Sequence, residues 1–157
     1  MGHELEYKVY ANRLEEEDLK EVNHNFVNRE WLFDLSFYTD RDKYKEPYSI
    51  DRLLLTVECE WYSRRKEDKK KDRFSGFKYD FQKLLVSNAE LRLMIFIIKK
   101  PIDIGLFELE TYFNNVITNY KHLENKAKFL FVAFSTSEKS FYYKQIIKSD
   151  KNGNLNR

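Results

Sequence analysis

Residues 53–61 read LLLTVECEW and residues 31–38 read WLFDLSFY. Both are apolar alternations interrupted by acids. Successive side chains of a strand point to opposite faces, so Leu53, Leu55, Val57, Cys59 and Trp61 share one face and Leu54, Thr56, Glu58 and Glu60 the other. In the earlier stretch Trp31, Phe33, Leu35 and Phe37 form the apolar face, and Asp34 falls mid-strand on the opposite one. An antiparallel hairpin turning at Glu46 and Pro47 pairs positions whose numbers sum to 92–94, which sets Asp34 opposite Glu58 or Glu60. Cross-strand neighbours lie about 4.5–5.5 Å apart at Cβ, so three carboxyl groups converge on one patch. Two such charges at roughly 4 Å and an effective dielectric near 20 repel by on the order of 4 kcal/mol. A fold keeps that arrangement when a proton or a cation sits among the groups. An all-oxygen set of one or two carboxylates suits Mg²⁺ completed by water and a substrate phosphate. Acids on the solvent face of an antiparallel sheet are the plainer reading of the same spacing.

The chain has 157 residues, a length expected to form a single domain over residues 1–148, with a disordered tail at 149–157. Thirteen Phe, eleven Tyr and two Trp supply large surfaces to bury, and four Gly with two Pro leave little room for linkers. One cysteine, Cys59, rules out an internal disulfide and fits a reducing cytoplasm, with the thiol buried on the core face of its strand. No apolar run approaches the length that spans a bilayer, and the polar start lacks a signal-peptide core, so a soluble intracellular protein is expected. His3, His24 and His122 show no metal-ligand spacing, which leaves no zinc site and no Ser-His-Asp arrangement to argue for.

Charge is distributed unevenly. The net charge is +2, but residues 64–73, RRKEDKKKDR, hold seven bases and three acids. Beginning four residues after Glu60, this run suits contact with a phosphate backbone through Arg64, Arg65, Lys69, Lys70 and Lys71. A solvated connection is the alternative. No recognition helix and no aromatic base-stacking motif stands out, because the Tyr and Phe residues fall at core-like positions.

The remaining elements follow from periodicity. Leu5, Tyr7 and Val9 alternate like a short strand or begin a helix; Leu14 to Asn28 reads as a helix, with acids in its first turn and Leu19, Val22 and Phe26 on one face. A second helix runs from about Tyr79 to Ala89, with Phe81, Leu84, Leu85 and Asn88 on one face and Asp80, Lys83 and Ser87 on another. Arg92–Lys100 is apolar enough to be a central strand buried on both sides. A long helix from Pro101 to about Leu123 leads to a strand over Lys128–Thr136, parallel to the last by the crossover rule, and Ser140–Lys148 returns as an edge strand. The fold class is therefore α/β (α+β), a mixed central sheet flanked by helices.

With that order in place the residues carry a resemblance. Asp34 in FDLSFY, Glu58 and Glu60 in VECEW, the helix DFQKLL and the strand RLMIF resemble the PD-(D/E)XK nuclease superfamily, the restriction-endonuclease-like fold, over residues 31–96. The resemblance implies a three-layer core and Mg²⁺- or Mn²⁺-dependent hydrolysis of phosphodiester bonds in DNA or RNA. It implies Asp34 and Glu58 as metal ligands, with Glu60 in the third catalytic place. Phe33 stands where the signature proline falls, and Glu60 replaces the signature lysine. In some members that lysine has moved to the following helix, the position of Lys83. Two other readings stay open: an inactive member of the fold that binds nucleic acid or a protein, and a small α/β protein whose acids form a partner surface. A homodimer is compatible with each.

Overall fold

The structure, a computed structural model, describes residues 8–11, 27–29, 32–40, 50–65, 72, 74–99 and 102–149. Seven strands form one mixed sheet: β1 (Lys8–Ala11), β2 (Val27–Arg29), β3 (Leu35–Asp40), β4 (Ile50–Glu60), β5 (Leu91–Ile98), β6 (Lys128–Ser135) and β7 (Ser140–Ile147), in the spatial order β2-β1-β3-β4-β5-β6-β7. β4, β5 and β6 are mutually parallel, as are β1 and β2, while β3 and β7 run antiparallel to their neighbours. Helix α1 (Ser75–Val86) joins β4 to β5, and α2 (Ile102–Asn119) joins β5 to β6. This is the mixed α/β architecture expected.

The β3–β4 hairpin has the expected sense and register. Leu35 faces Val57, Ser36 faces Thr56 and Phe37 faces Leu55, all summing to 92, before two irregularities carry the pairing to Asp40 opposite Ile50. Three details differ. Leu32–Asp34 form a bend and not a strand, so Asp34 stands just ahead of β3. The hairpin face expected to meet solvent is buried at Ser36, Thr56 and Glu58, and of the expected core face only Phe33 and Val57 are buried. Ser36 and Thr56 are fully buried, Tyr38 and Glu58 nearly so, whereas Leu35, Phe37, Leu53 and Leu55 are only half-buried. Finally, Trp61 is 47% exposed and Cys59 half-buried, so neither joins the core.

The reason is the position of α1 and α2. Both lie on the Glu58 side of the sheet, where register aligns Thr56, Arg92 and Phe129 in one row and Glu58, Met94 and Phe131 in the next. A crossover helix returning over β4 covers whichever side chains face it, and alternation on one strand does not reveal which face that is. Phe77, Phe81, Phe113, Phe129 and Phe131 fill the space between the layers. Phe81 lies 4.7 Å from Phe113, which stacks on Phe131 at 4.2 Å, centre to centre.

α1 runs from Ser75 to Val86, earlier at both ends than periodicity suggested, because Phe77 belongs to its buried face and Ser87 turns extended. Asn88 is consequently outside the helix and exposed. A polar seam fastens this end. The Ser87 hydroxyl donates to the Leu84 carbonyl (2.9 Å) and lies 3.2 Å from the Thr56 hydroxyl, while buried Arg92 donates from Nη2 to the Ser87 carbonyl at 2.7 Å. Beyond the same end of β6, Lys148, also buried, donates from Nζ to the carbonyls of Tyr120 and Leu123 after α2. Its own backbone exchanges hydrogen bonds with Lys126 and Ala127. The helix expected over residues 14–28 ends instead in strand β2 at Val27–Arg29, and its earlier part lies outside the described residues, as do the turn at Glu46 and Pro47, the residues Lys69, Lys70 and Lys71, and the tail from 150 on. No helix among the described residues is long and apolar enough to cross a membrane.

Candidate functional site

At the carboxyl end of β4 the chain gathers acids. Asp34 reaches across the end of the β3–β4 ladder, and its Oδ2 accepts the backbone N–H of Cys59 at 2.7 Å. That bond fixes Asp34 beside Glu58, whose side chain points under α1 and is 1% exposed. Glu58 Oε2 accepts from Lys83 Nζ at 2.9 Å, and the same ammonium pairs with Asp80 Oδ1, one turn back on α1, at 2.8 Å. Glu58 Oε1 is buried without a hydrogen-bond partner. Glu60 lies two residues on and accepts the Tyr62 backbone N–H at 2.7 Å, with the carboxyl of Asp80 near enough to raise its pKa. The structure thus brings together Asp34, Glu58, Glu60 and Lys83, and it adds Asp80, which in the sequence is one of the polar positions of the second helix.

Electrostatics follow from this crowding. Burial, opposed by Lys83 and reinforced by Asp34 and Asp80, pushes the Glu58 carboxyl up to about 8. Burial also raises Glu60, against the pull of the Tyr62 N–H and with the help of Asp80. Cys59 is pushed up to about 11, first by burial and then by Asp34 and Glu58, which makes it a protonated, unreactive thiol at neutral pH. Burial alone would lower Lys83, but its hydrogen bonds to Asp80 and Glu58 prevail and hold its proton firmly. A carboxyl group this deeply buried, with one oxygen unpaired, is expensive to ionise. Among the described residues no three His, Cys, Asp or Glu side chains are arranged to hold a metal ion by themselves. Asp34 and Glu58 offer two.

The connection leaving β4 is clamped to α1. Gly76 N–H donates to the Ser63 carbonyl at 3.1 Å, and Arg65 N–H donates to the Ser75 hydroxyl at 3.1 Å. A Cβ at Gly76 would stand 2.2 Å from the Tyr62 carbonyl oxygen, closer than any real contact. Two effects compete in Gly76→Ala. Helix propensity favours alanine by up to about 1 kcal/mol, whereas a clash with backbone in a packed site costs typically about 1–3 kcal/mol. The clash is with main chain that cannot swing away, so the variant is expected to be less stable, read as a lower denaturant midpoint at unchanged slope. A midpoint that rises would show the approach to be looser than described.

Arg64 is exposed, and the Arg65 guanidinium lies flat against Tyr79, 3.9 Å from the ring centre. Of the expected phosphate-contacting residues only these two are among the described residues, in the connection that leaves β4 after Glu60. Comparison with protein-family models, with curated proteins and with solved structures finds no match to this chain.

Proposed function

We propose that this chain is a nuclease of restriction-endonuclease-like fold that uses Mg²⁺ or Mn²⁺ to hydrolyse phosphodiester bonds in DNA or RNA. The observation that carries the reading is Glu58. A buried carboxyl with one oxygen on an ammonium and the other unpaired, next to a second carboxyl already oriented by a backbone N–H, is unfinished coordination chemistry. The donors fit the ion: two carboxylates from the protein, with water and substrate oxygens to complete the set. Asp34 and Glu58 would hold it, and when bound it supplies Lewis acidity toward the phosphate and a compensating charge for both acids.

The remaining steps belong to the chain's own groups. Lys83 keeps its proton and stands on Glu58 and Asp80, where it can counter charge gathering on the phosphoryl oxygens. Glu60, whose carboxyl is held above the ordinary range, is a stronger proton acceptor than a free glutamate and suits the role of general base. The oxygen of water bonds to phosphorus, its proton passes to Glu60, and the ester P–O bond breaks to release the alkoxide. Asp80 positions both Lys83 and Glu60. The glutamate in the usual lysine position is thereby accommodated, because Lys83 supplies the ammonium from α1.

A second reading is favoured by the Lys83–Glu58 pair itself: an ammonium that already neutralises Glu58 suits an inactive, binding-only domain of the same fold. Incubation of single- and double-stranded DNA and RNA with Mg²⁺ or Mn²⁺ decides between them. Cleavage by the wild-type chain, lost in Asp34→Ala, is expected. No cleavage by either, with no heat of Mg²⁺ binding in a calorimetric titration, would leave the binding-only domain.

A further inference from the structure

Three exposed aromatic side chains lie close in sequence to the acids of the site. Tyr62 is 71% exposed and Trp61 and Tyr79 each 47%; along the chain Trp61 and Tyr62 directly follow Glu60, and Tyr79 precedes Asp80. Tyr62 and Tyr79 are also held in place. The Tyr62 N–H donates to Glu60, its carbonyl abuts Gly76, Ser63 and Arg65 are hydrogen-bonded to the first turn of α1, and Tyr79 carries the Arg65 guanidinium on one face. Lys83 Nζ is 6.0 Å from the same ring, so Arg65, Tyr79, Lys83 and Glu58 form a continuous line from surface to buried carboxyl. Folding gains nothing from leaving large rings in water, and exposed rings interleaved with guanidinium groups match bases interleaved with phosphates.

We propose that Trp61, Tyr62 and the Arg65–Tyr79 stack, with Arg64, form a binding strip for an unpaired nucleic-acid strand. Bases stack on the free ring faces and phosphates meet the two guanidinium groups. A duplex keeps its base faces stacked on one another and has none to offer these rings, so single-stranded segments are the substrate class. The delivery of that strand to Asp34 and Glu58 rests on the nuclease reading; the strip itself does not.

The test is binding of fluorescent single strands of about 12 nucleotides, oligo-dT and oligo-U, against a duplex of equal length, followed by anisotropy in EDTA over a salt series. Single strands are expected to bind more tightly than the duplex. Trp61→Ala and Tyr62→Ala should each weaken binding about 5- to 150-fold, the equivalent of ~1–3 kcal/mol for one stacked base. Trp61→Phe should retain most of the affinity. Arg64→Ala should reduce the slope of log affinity against log salt by about 0.7. Phe107→Ala, which removes a 74% exposed ring on α2, should change nothing. Tighter binding to duplex, unchanged affinity in both Trp61→Ala and Tyr62→Ala, or no binding to either form at low salt would overturn the proposal. Tight single-strand binding that needs Trp61 and Tyr62, without cleavage in Mg²⁺, would refute the nuclease reading and leave the strip standing.

Discussion

Glu58→Gln is expected to remove divalent-metal-dependent cleavage, by at least about 10²–10³-fold, while making the metal-free protein more stable at pH 8. Burial raises the Glu58 carboxyl from an ordinary 4.5 in the unfolded chain to about 8 in the fold. Between those values the folded state binds the extra proton. The group's contribution to stability is therefore complete below about 4.5 and is lost as pH rises through about 8. Glutamine has no proton to lose, and Asp80 still pairs Lys83 in the variant, so no ammonium is stranded. In EDTA the two melting temperatures should be close at pH 5 and diverge toward pH 8, the variant remaining higher. Parallel curves would mean that Glu58 carries no burial cost. Mg²⁺ at about 100 times its Kd should then stabilise the wild type by ~2.7 kcal/mol and leave the glutamine variant where it was.

Phe81→Ala carries the largest expected loss of stability, about 3–5 kcal/mol. Its ring has no solvent exposure and lies within 4.7–6.1 Å, centre to centre, of Phe113, Tyr112, Phe129 and Phe131. Those neighbours come from α2 and β6 and are held by one another, so the cavity closes poorly. For a domain of this size the loss corresponds to a fall in Tm of roughly 6–20 °C. Phe107→Ala, on the exposed side of α2, should stay within about 0.5 kcal/mol of the wild type. Phe81 also lies between Asp80 and Lys83 in sequence, so loosening it should depress cleavage beyond what unfolding accounts for, measured well below Tm. A shift of less than about 1 kcal/mol would contradict the packing described.

The two carboxylates of the site were legible because a hairpin's register is arithmetic: a turn near residue 46 fixes which numbers meet, and Asp34 and Glu58 follow. β5 and β6 were legible as apolar runs and α2 from its helical spacing, and β7 as the edge strand that follows a short connection. The buried side of the hairpin was not legible. Ser36, Thr56 and Glu58 look like a solvent face until α1 folds back over them, and the partner that tolerates Glu58 there, Lys83, is 25 residues away. Asp80 was hidden for the same reason, since its place at the start of a helix satisfies a local explanation. The aromatic strip escaped notice because Trp61 keeps the strand's alternation although β4 ends at Glu60, and because nothing local distinguishes the exposed Tyr79 from the buried Phe77 and Phe81.

The hydrogen bonds of Lys148 have a consequence for how the protein is made. During synthesis the carbonyls of Tyr120 and Leu123 and the free edge of β6 emerge well before the strand and the lysine that satisfy them. A nascent chain that stops short of residue 148 therefore carries an open, apolar strand edge, a template for pairing with another chain. Chains truncated in this strand are therefore expected to aggregate, seen as a loss of soluble product relative to the full chain.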